Sequence, residues 1–389
     1  MIARIALPIL IAIVLSDLYI EWHYRNSRFL NTWKARLLWL VPGIVMTVYT
    51  LVLTFTRNFV PGDIAWIELY MMLVGILVWP KAVFAAFSFV GLMAKRIFHW
   101  RRNWGNYVGD VFIAVTLAVF FYGMTLGPRQ FKVRRLDLSF PNLPASFEGY
   151  RIVLFSDAHV GTFKDGRRSL LKRDVDSINA QRPDLIAFTG DLENIQPSDL
   201  DDHIAELSSL RARDGVFSVL GNHDYSDYIR ASKEVKDANE QLLRLREKQF
   251  GWHLLLNEHV VLKRGNDSIY LAGTECKGQD PRPNRADVPR SMKGIPQKAF
   301  TIMLQHDPKA WDEDILKWKQ VMLTLCGHTH AGQVNIFGIR PTMFSYKEDY
   351  GLYEHDGRFL YVTSGICGLV PLRIGATPEI VVITLHSHP

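Results

Sequence analysis

Four long apolar runs occupy the first third of the chain, and they dictate most of what it can become. Residues 5–20 are interrupted only by Asp17, and residues 37–56 carry no charge. Residues 69–94 carry only Lys81, and residues 111–128 are again uncharged. A membrane-spanning helix needs about 17–25 mostly apolar residues. Four such runs in succession exceed what the core of a soluble protein of 389 residues can cover. The first run has the length of a secretory signal. It lacks a small-residue cleavage site before Glu21-Trp22-His23, and further runs follow, so it reads as an uncleaved helix.

The short loops set the expected orientation. Arg25, Arg28, Lys34 and Arg36 separate the first two runs, and Lys95, Arg96, Arg101 and Arg102 separate the last two. The other side has only Arg4 and Arg57, which places the basic loops in the cytoplasm and both termini outside. Arg129, Lys132, Arg134 and Arg135 directly after the fourth run weaken that asymmetry. They precede a large domain, which translocates largely regardless of charge. Asp17 and Lys81 lie inside the apolar runs, where charge is costly and implies an ion pair or contact with a headgroup or ligand.

Residues 129–149 read as a linker with a first strand at 136–140, and residues 150–389 as one α/β domain. A helical pattern covers 226–250. With 22% charged and 12% aromatic residues the chain is not a disordered one. Three cysteines are too few for a disulfide scaffold. The net charge of +6 lies largely beside the apolar runs, so no nucleic-acid footprint appears.

The domain's chemistry lies where its apolar strands stop. Residues 151–156 lead into Asp157-Ala158-His159, and residues 184–189 into Gly190-Asp191. Residues 216–220 lead into Gly221-Asn222-His223-Asp224, and residues 300–304 into Gln305-His306-Asp307. Residues 321–325 lead, after Cys326, into Gly327-His328-Thr329-His330. One Asp-Ala-His is equally at home in a surface turn. Five strands that each end in His, Asp or Asn describe the rim on which layered α/β folds assemble sites. Alternate residues of an extended chain point the same way, so Asp-x-His and His-x-His each present two donors together. Asp157, His159, Asp191, Asn222, His306, His328 and His330 are too many for one tetrahedral zinc. They suit two octahedral-leaning divalent cations sharing a carboxylate, an arrangement that activates water and clamps a phosphoryl group.

In this order the blocks resemble the calcineurin-like metallophosphoesterases over about residues 150–385. The closing stretch, from Gly327-His-Thr-His-Ala-Gly-Gln-Val to Pro378-Glu379-Ile380, is similar to the membrane-attached or exported bacterial subfamily. That subfamily includes cell-wall-associated enzymes and a UDP-2,3-diacylglucosamine pyrophosphohydrolase. The resemblance implies a two-sheet sandwich flanked by helices and two divalent ions (Mn, Fe or Zn). Asp157, His159 and His330 would hold the first ion, Asn222, His306 and His328 the second, and Asp191 would bridge them. His223 would contact the phosphate and protonate the leaving oxygen, with Asp224 orienting it.

Asn194 stands where many members have Asp, with little expected effect, and Ala331 stands where Gly is usual, narrowing the space beside His330. Arg373 is a weaker candidate for holding a substrate phosphate, a surface position being the plainer expectation. The loop 277–296, with Arg282, Arg285 and Arg290, offers a grip on a polyanionic headgroup or simply a solvated surface. The leading expectation is a multi-pass inner-membrane hydrolase with an extracytoplasmic catalytic domain. Its partners would be the bilayer and a phosphorylated, lipid-linked or membrane-proximal substrate. Two alternatives are a cytoplasm-facing pyrophosphohydrolase of the UDP-diacylglucosamine type and a membrane scaffold that binds without turnover.

Overall fold

A computed structural model describes residues 2–25, 27, 30–55, 65–278 and 283–387, and Arg28, Arg57 and Arg282 lie outside them. The chain divides into two compact units, Met1–Met124 and Thr125–Pro389.

The first unit is helical throughout its apolar runs: α1 (Ile2–Tyr24), α2 (Trp33–Phe55), α3 (Ala65–Leu73), α4 (Trp79–Ile97) and α5 (Trp104–Thr125). A π-helical turn, Val74–Val78, joins α3 to α4, so residues 65–97 form one span. All four runs are long and apolar enough to cross a bilayer. Most of their large side chains face outward, as lipid contact requires, while polar groups turn inward and pair. The Ser88 hydroxyl meets Tyr19, Tyr24 and Asn106, and Thr50 meets Tyr70. Gly91 and Gly105 pack backbone to backbone with no room for a side chain on either.

The charges inside the apolar runs are an ion pair. Lys81 on α4 meets Asp17 on α1, and its ammonium lies 4.5 Å from the centre of the Trp39 ring. Lys81→Met leaves a buried carboxylate unpaired, at an expected cost of about 3–5 kcal/mol. The double variant Asp17→Asn/Lys81→Met recovers most of that loss in thermal unfolding; equal destabilisation of single and double variants contradicts the pairing.

The second unit is a two-sheet sandwich. One sheet runs β1 (Lys132–Ser139), β12 (Glu379–His386), β2 (Tyr150–Phe155), β3 (Leu185–Phe188), β4 (Val216–Ser218) and β5 (His253–Leu254). The other runs β10 (Gly351–His355), β11 (Arg358–Val362), β9 (Val321–Cys326), β8 (Thr301–Leu304), β7 (Asp267–Gly273) and β6 (Glu258–Arg264). The strands β2 to β5 are mutually parallel, as are β7, β8, β9 and β11.

Their continuous apolar runs follow from burial on both faces. Ile152 and Leu154 point between the sheets, where they meet Leu271, Ile302 and Leu323. Val153 and Phe155 point outward, against α6 (Arg168–Ala180) and α8 (Lys233–Phe250), with the short α7 (Ile204–Leu207) between. Each fully buried Leu or Ile contributes about 1.5–3 kcal/mol. The first strand starts four residues before the expected 136, because Lys132–Ser139 pairs in parallel with β12 along its whole length. The helix expected over 226–250 starts at Lys233 instead. Ser226 adopts a left-handed conformation (φ 52°), and the Tyr228 hydroxyl is drawn to Asn222.

Asp174 on α6 is a buried carboxyl away from the strand ends. Arg173 donates twice to Oδ1 (2.8 and 2.6 Å), while Oδ2 has no hydrogen-bond partner among the described residues. Burial pushes its pKa from 3.8 up to about 7. A raised carboxyl pKa favours the folded state most below the unfolded value. That contribution is lost as pH rises from about 4 to about 7. Asp174→Asn is therefore expected to raise Tm at pH 8 and to flatten its fall between pH 4 and 7; a steeper fall contradicts this.

Candidate metal centre

The parallel strands deliver their terminal residues to one edge of the sandwich. Asp157 and His159 follow β2, Asp191 follows β3, and Asn222 to Asp224 follow β4; His306 follows β8, and His328 and His330 follow β9. Here the backbone turns sharply. Asp157 (φ 50°), His159 (39°), Asp191 (59°), His328 (75°) and His330 (53°) all occupy the left-handed region. Such residues cost about 1–3 kcal/mol each and persist where their surroundings hold them. Neighbouring turns supply that hold: Asp157 N donates to Gly190 O (2.9 Å) and His159 N to Asp191 O (3.1 Å). Glycine is required between the turns, because a Cβ on Gly221 would strike the Asp191 carboxylate and one on Gly327 would strike Ser156 and Asp157. Ala331 is also left-handed (φ 50°) and buried beside His330, where a glycine would carry no Cβ strain.

Two groups of donors form. One ligand atom from each of Asp157, His159, Asp191 and His330 lies within 4.8 Å of the others, and the same holds for Asp191, His306 and His328. Asp191 belongs to both. Its Oδ2 is 3.6 Å from His159 Nε2 and 3.3 Å from His306 Nε2, while Oδ1 accepts His223 N at 2.8 Å. His330 Nε2 is 3.4 Å from Asp157 Oδ1, and His328 Nδ1 is 3.1 Å from His306 Nε2.

The imidazoles are aimed from behind. Nδ1–H of His159 donates to Glu193 O (3.2 Å), that of His306 to Thr189 O (2.7 Å) and that of His330 to Cys367 O (3.2 Å). A carbonyl can only accept, so each ring turns an unprotonated Nε2 to the centre when neutral. His328 is the exception. Its Nε2 meets the Tyr346 hydroxyl at 2.7 Å, so it presents Nδ1. Asn222 donates from Nδ2 to Tyr228 Oη (2.9 Å), which leaves its Oδ1 buried with no hydrogen-bond partner among the described residues.

Burial drives His159 well below the ordinary imidazole value and His328 and His330 down to about 4, so their lone pairs are ready for a cation at neutral pH. His306 goes the other way. Burial opposes its charge, but the adjacent Asp191 carboxylate pushes it up to about 10. Asp191 falls well below the carboxylate range, the charges on His306 and His223 outweighing its burial. Two carboxylates, Asp157 and Asp191, and four imidazoles thus meet at one edge. Together with His159 Nε2 and Asn222 Oδ1, which have no hydrogen-bond partner among the described residues, that donor set fits divalent cations.

Two residues depart from expectation. Asp224 does not spend its carboxylate on His223. It accepts the backbone N–H of Asp191, Leu192, Glu193 and Gly221 (2.8, 2.8, 3.2 and 2.8 Å), clamping the loop that carries Asp191. His223 is set instead by its Nδ1 contact to Asn194 O (2.6 Å) and by stacking on Tyr228 (4.2 Å between ring centres). That contact uses the backbone carbonyl of Asn194, which an Asp at this position would supply equally. Arg373 is buried rather than on the surface. Its guanidinium donates to the carbonyls of His330 (3.2 Å), Ser364 (2.9 Å), Ala376 (3.4 Å) and Cys367, so it braces the site's backbone.

In the loop 277–296, Arg285 pairs with Asp227 (3.3 Å) and covers the Tyr225 ring. Nothing in the sequence singles out Tyr228 and Tyr346. Both lie in segments without strand or ligand patterning, and only the fold brings them to Asn222 and His328.

An α/β sandwich whose strand ends gather carboxylates and imidazoles around a shared Asp defines a metal-dependent hydrolase class, and the comparisons agree. Residues 150–332 match the calcineurin-like phosphoesterase family, and residues 3–128 match a family described as a probable calcineurin-like phosphoesterase transmembrane domain. The chain is 31% identical over 281 residues to the uncharacterized metallophosphoesterase YkuE of Bacillus subtilis, covering 68% of this chain and 89% of that protein. It is 30% identical over 285 residues to a transmembrane protein with metallophosphoesterase domain from Danio rerio, covering 71% and 62%. An uncharacterized metallophosphoesterase of Campylobacter jejuni is 30% identical over 263 residues, covering 66% and 63%. The chain thus spans a little under two thirds of the length of the last two. It belongs to the calcineurin-like metallophosphoesterases, as a multi-pass membrane member of that family of metal-dependent hydrolases.

Proposed function

We propose that the protein hydrolyses a phosphoester or pyrophosphate bond in a lipid-linked or membrane-proximal substrate, using two divalent ions on the extracytoplasmic side of the inner membrane. The observation that carries this reading is the Asp191 carboxylate, common to both donor groups. Asp157, His159 and His330 would hold one ion with it, and Asn222, His306 and His328 the other. Bound ions of this kind activate water and stabilise the attacking and leaving oxygens of an in-line displacement. The chain's own part in proton transfer falls to His223. Its Nδ1 hydrogen is committed to the Asn194 carbonyl, so the proton handed to the leaving oxygen comes from Nε2.

The outward orientation rests on the basic loops between the first two and the last two apolar runs. Turnover of p-nitrophenyl phosphoesters by the full-length protein tests the chemistry. Activity that appears with Mn²⁺ and stops with chelator supports it, and inactivity with every divalent ion overturns it. A reporter after residue 389 tests the side: alkaline phosphatase activity fits the outward reading, and fluorescence of a green fluorescent protein contradicts it.

A further inference from the structure

We propose that residues 335–345 form a hydrophobic loop that inserts into the boundary between headgroups and acyl chains of the bilayer. Among the described residues of the second unit, eleven large apolar side chains are exposed, and five of them fall within 336–344. Phe337 and Phe344 are 101% and 85% exposed, and Ile336, Ile339 and Met343 accompany them. An exposed apolar cluster of this kind marks an interaction surface rather than ordinary surface scatter. From Ala331 to Lys347 the sequence has no acidic residue, and its two basic ones, Arg340 and Lys347, pair with Asp349 and with Asp312 and Glu348, so the apolar tip brings no unpaired charge to a lipid surface.

The loop is built, not loose. Ile336 and Ile339 exchange backbone hydrogen bonds (3.1 and 3.0 Å) across a two-residue turn, Phe337-Gly338, with both φ positive (52° and 86°). Asn or Gly would occupy the first position of such a turn at less cost. The chain instead places its most exposed aromatic ring there. Arg340 then anchors the far side through two hydrogen bonds to Asp349 (2.7 and 2.9 Å).

Its root lies beside the chain's exit from the last apolar run. Asn335 N donates to Ile374 O (2.7 Å), and the Gln333 amide donates to Val370 O (2.8 Å) and Leu372 O (3.1 Å). Within the second unit the same segment packs on Gly127 and Pro128, the last residues of the apolar run 111–128. Gly127 meets the Arg373 carbonyl with no room for a Cβ, and Pro128 lines a small cleft together with Val370, Pro371 and Arg373. One stretch of six residues, 370–375, therefore ties the loop to the point where the chain leaves the bilayer, which is why a membrane, rather than a second copy, is the occupant.

The loop also connects the bilayer to the metal centre. His330 precedes it, and Tyr346, bonded to His328, follows it. An inserted loop would hold the strand ends at headgroup depth, within reach of a lipid-borne phosphoester. That consequence rests on the proposed lipid-linked substrate, whereas the insertion itself does not.

The test uses single Cys variants of the full-length protein, Phe337→Cys and Phe344→Cys, with Val261→Cys on β6 as reference; the three native cysteines are buried. Each is labelled with an environment-sensitive fluorophore and placed in phosphatidylcholine/phosphatidylglycerol nanodiscs. At 337 and 344, nitroxide-bearing lipids are expected to quench severalfold more than aqueous iodide, with the reverse at 261. Iodide quenching at 337 and 344 equal to that at 261 overturns the proposal. Shielding from both quenchers also overturns it, and assigns the loop to a second copy of the chain. No turnover is read, so the result is independent of the hydrolase chemistry.

Discussion

Asp191→Ala is expected to lower turnover of a p-nitrophenyl phosphoester by about 10³-fold or more, equivalent to about 4 kcal/mol in the barrier. The expectation follows from one atom. Asp191 Oδ2 lies 3.3 Å from His306 Nε2 and 3.6 Å from His159 Nε2, so its loss removes a donor from both groups at once. The other carboxylate oxygen holds the backbone of His223, so the alanine also loosens the proposed proton donor. Asp157→Ala, by contrast, removes a donor from one group only and is expected to cost less. Activity surviving unchanged in Asp191→Ala contradicts a shared carboxylate; steady-state kinetics with saturating Mn²⁺ decides.

His223→Gln is expected to reduce kcat by about 10²–10⁴-fold while leaving metal content intact, the range expected for loss of a general acid. Glutamine keeps a polar side chain in the space between Asn194 O and the Tyr228 ring but has no proton of suitable acidity. The loss should be largest for alkyl phosphoesters, whose leaving oxygen needs protonation, and smallest for p-nitrophenyl esters. An equal loss across leaving groups would show that His223 acts by binding phosphate instead.

The strand ends could be read in advance because each is a local event: an apolar run buried on both faces, then donors at alternating positions. Ile152 and Leu154 face one side and Val153 and Phe155 the other, and the polar residues begin where that alternation ends. The apolar helices were legible for a similar reason, since uncharged length alone constrains them. What the sequence hid is carried by contacts distant along the chain. Thr189 O aims His306 across 117 positions, and Cys367 O aims His330 across 37. Backbone carbonyls have no sequence signature, so no pattern announces them. The same holds for Asp224, which looks like a partner for its neighbour yet spends its oxygens on backbone N–H groups up to 33 positions away. A lone arginine before a strand reads as solvated, whereas Arg373 donates to four carbonyls in the interior. Ser226–Ser232 carried a helical pattern, and the pull of Tyr228 toward Asn222 overrode it.

Metal content of the purified full-length chain, measured by inductively coupled plasma mass spectrometry after equilibration with Mn²⁺ and removal of free ion, tests the central claim most directly. Two ions per chain are predicted, with a marked loss of both in Asp191→Ala. A single ion per chain, or full occupancy retained without Asp191, would contradict a centre in which two cations share one carboxylate.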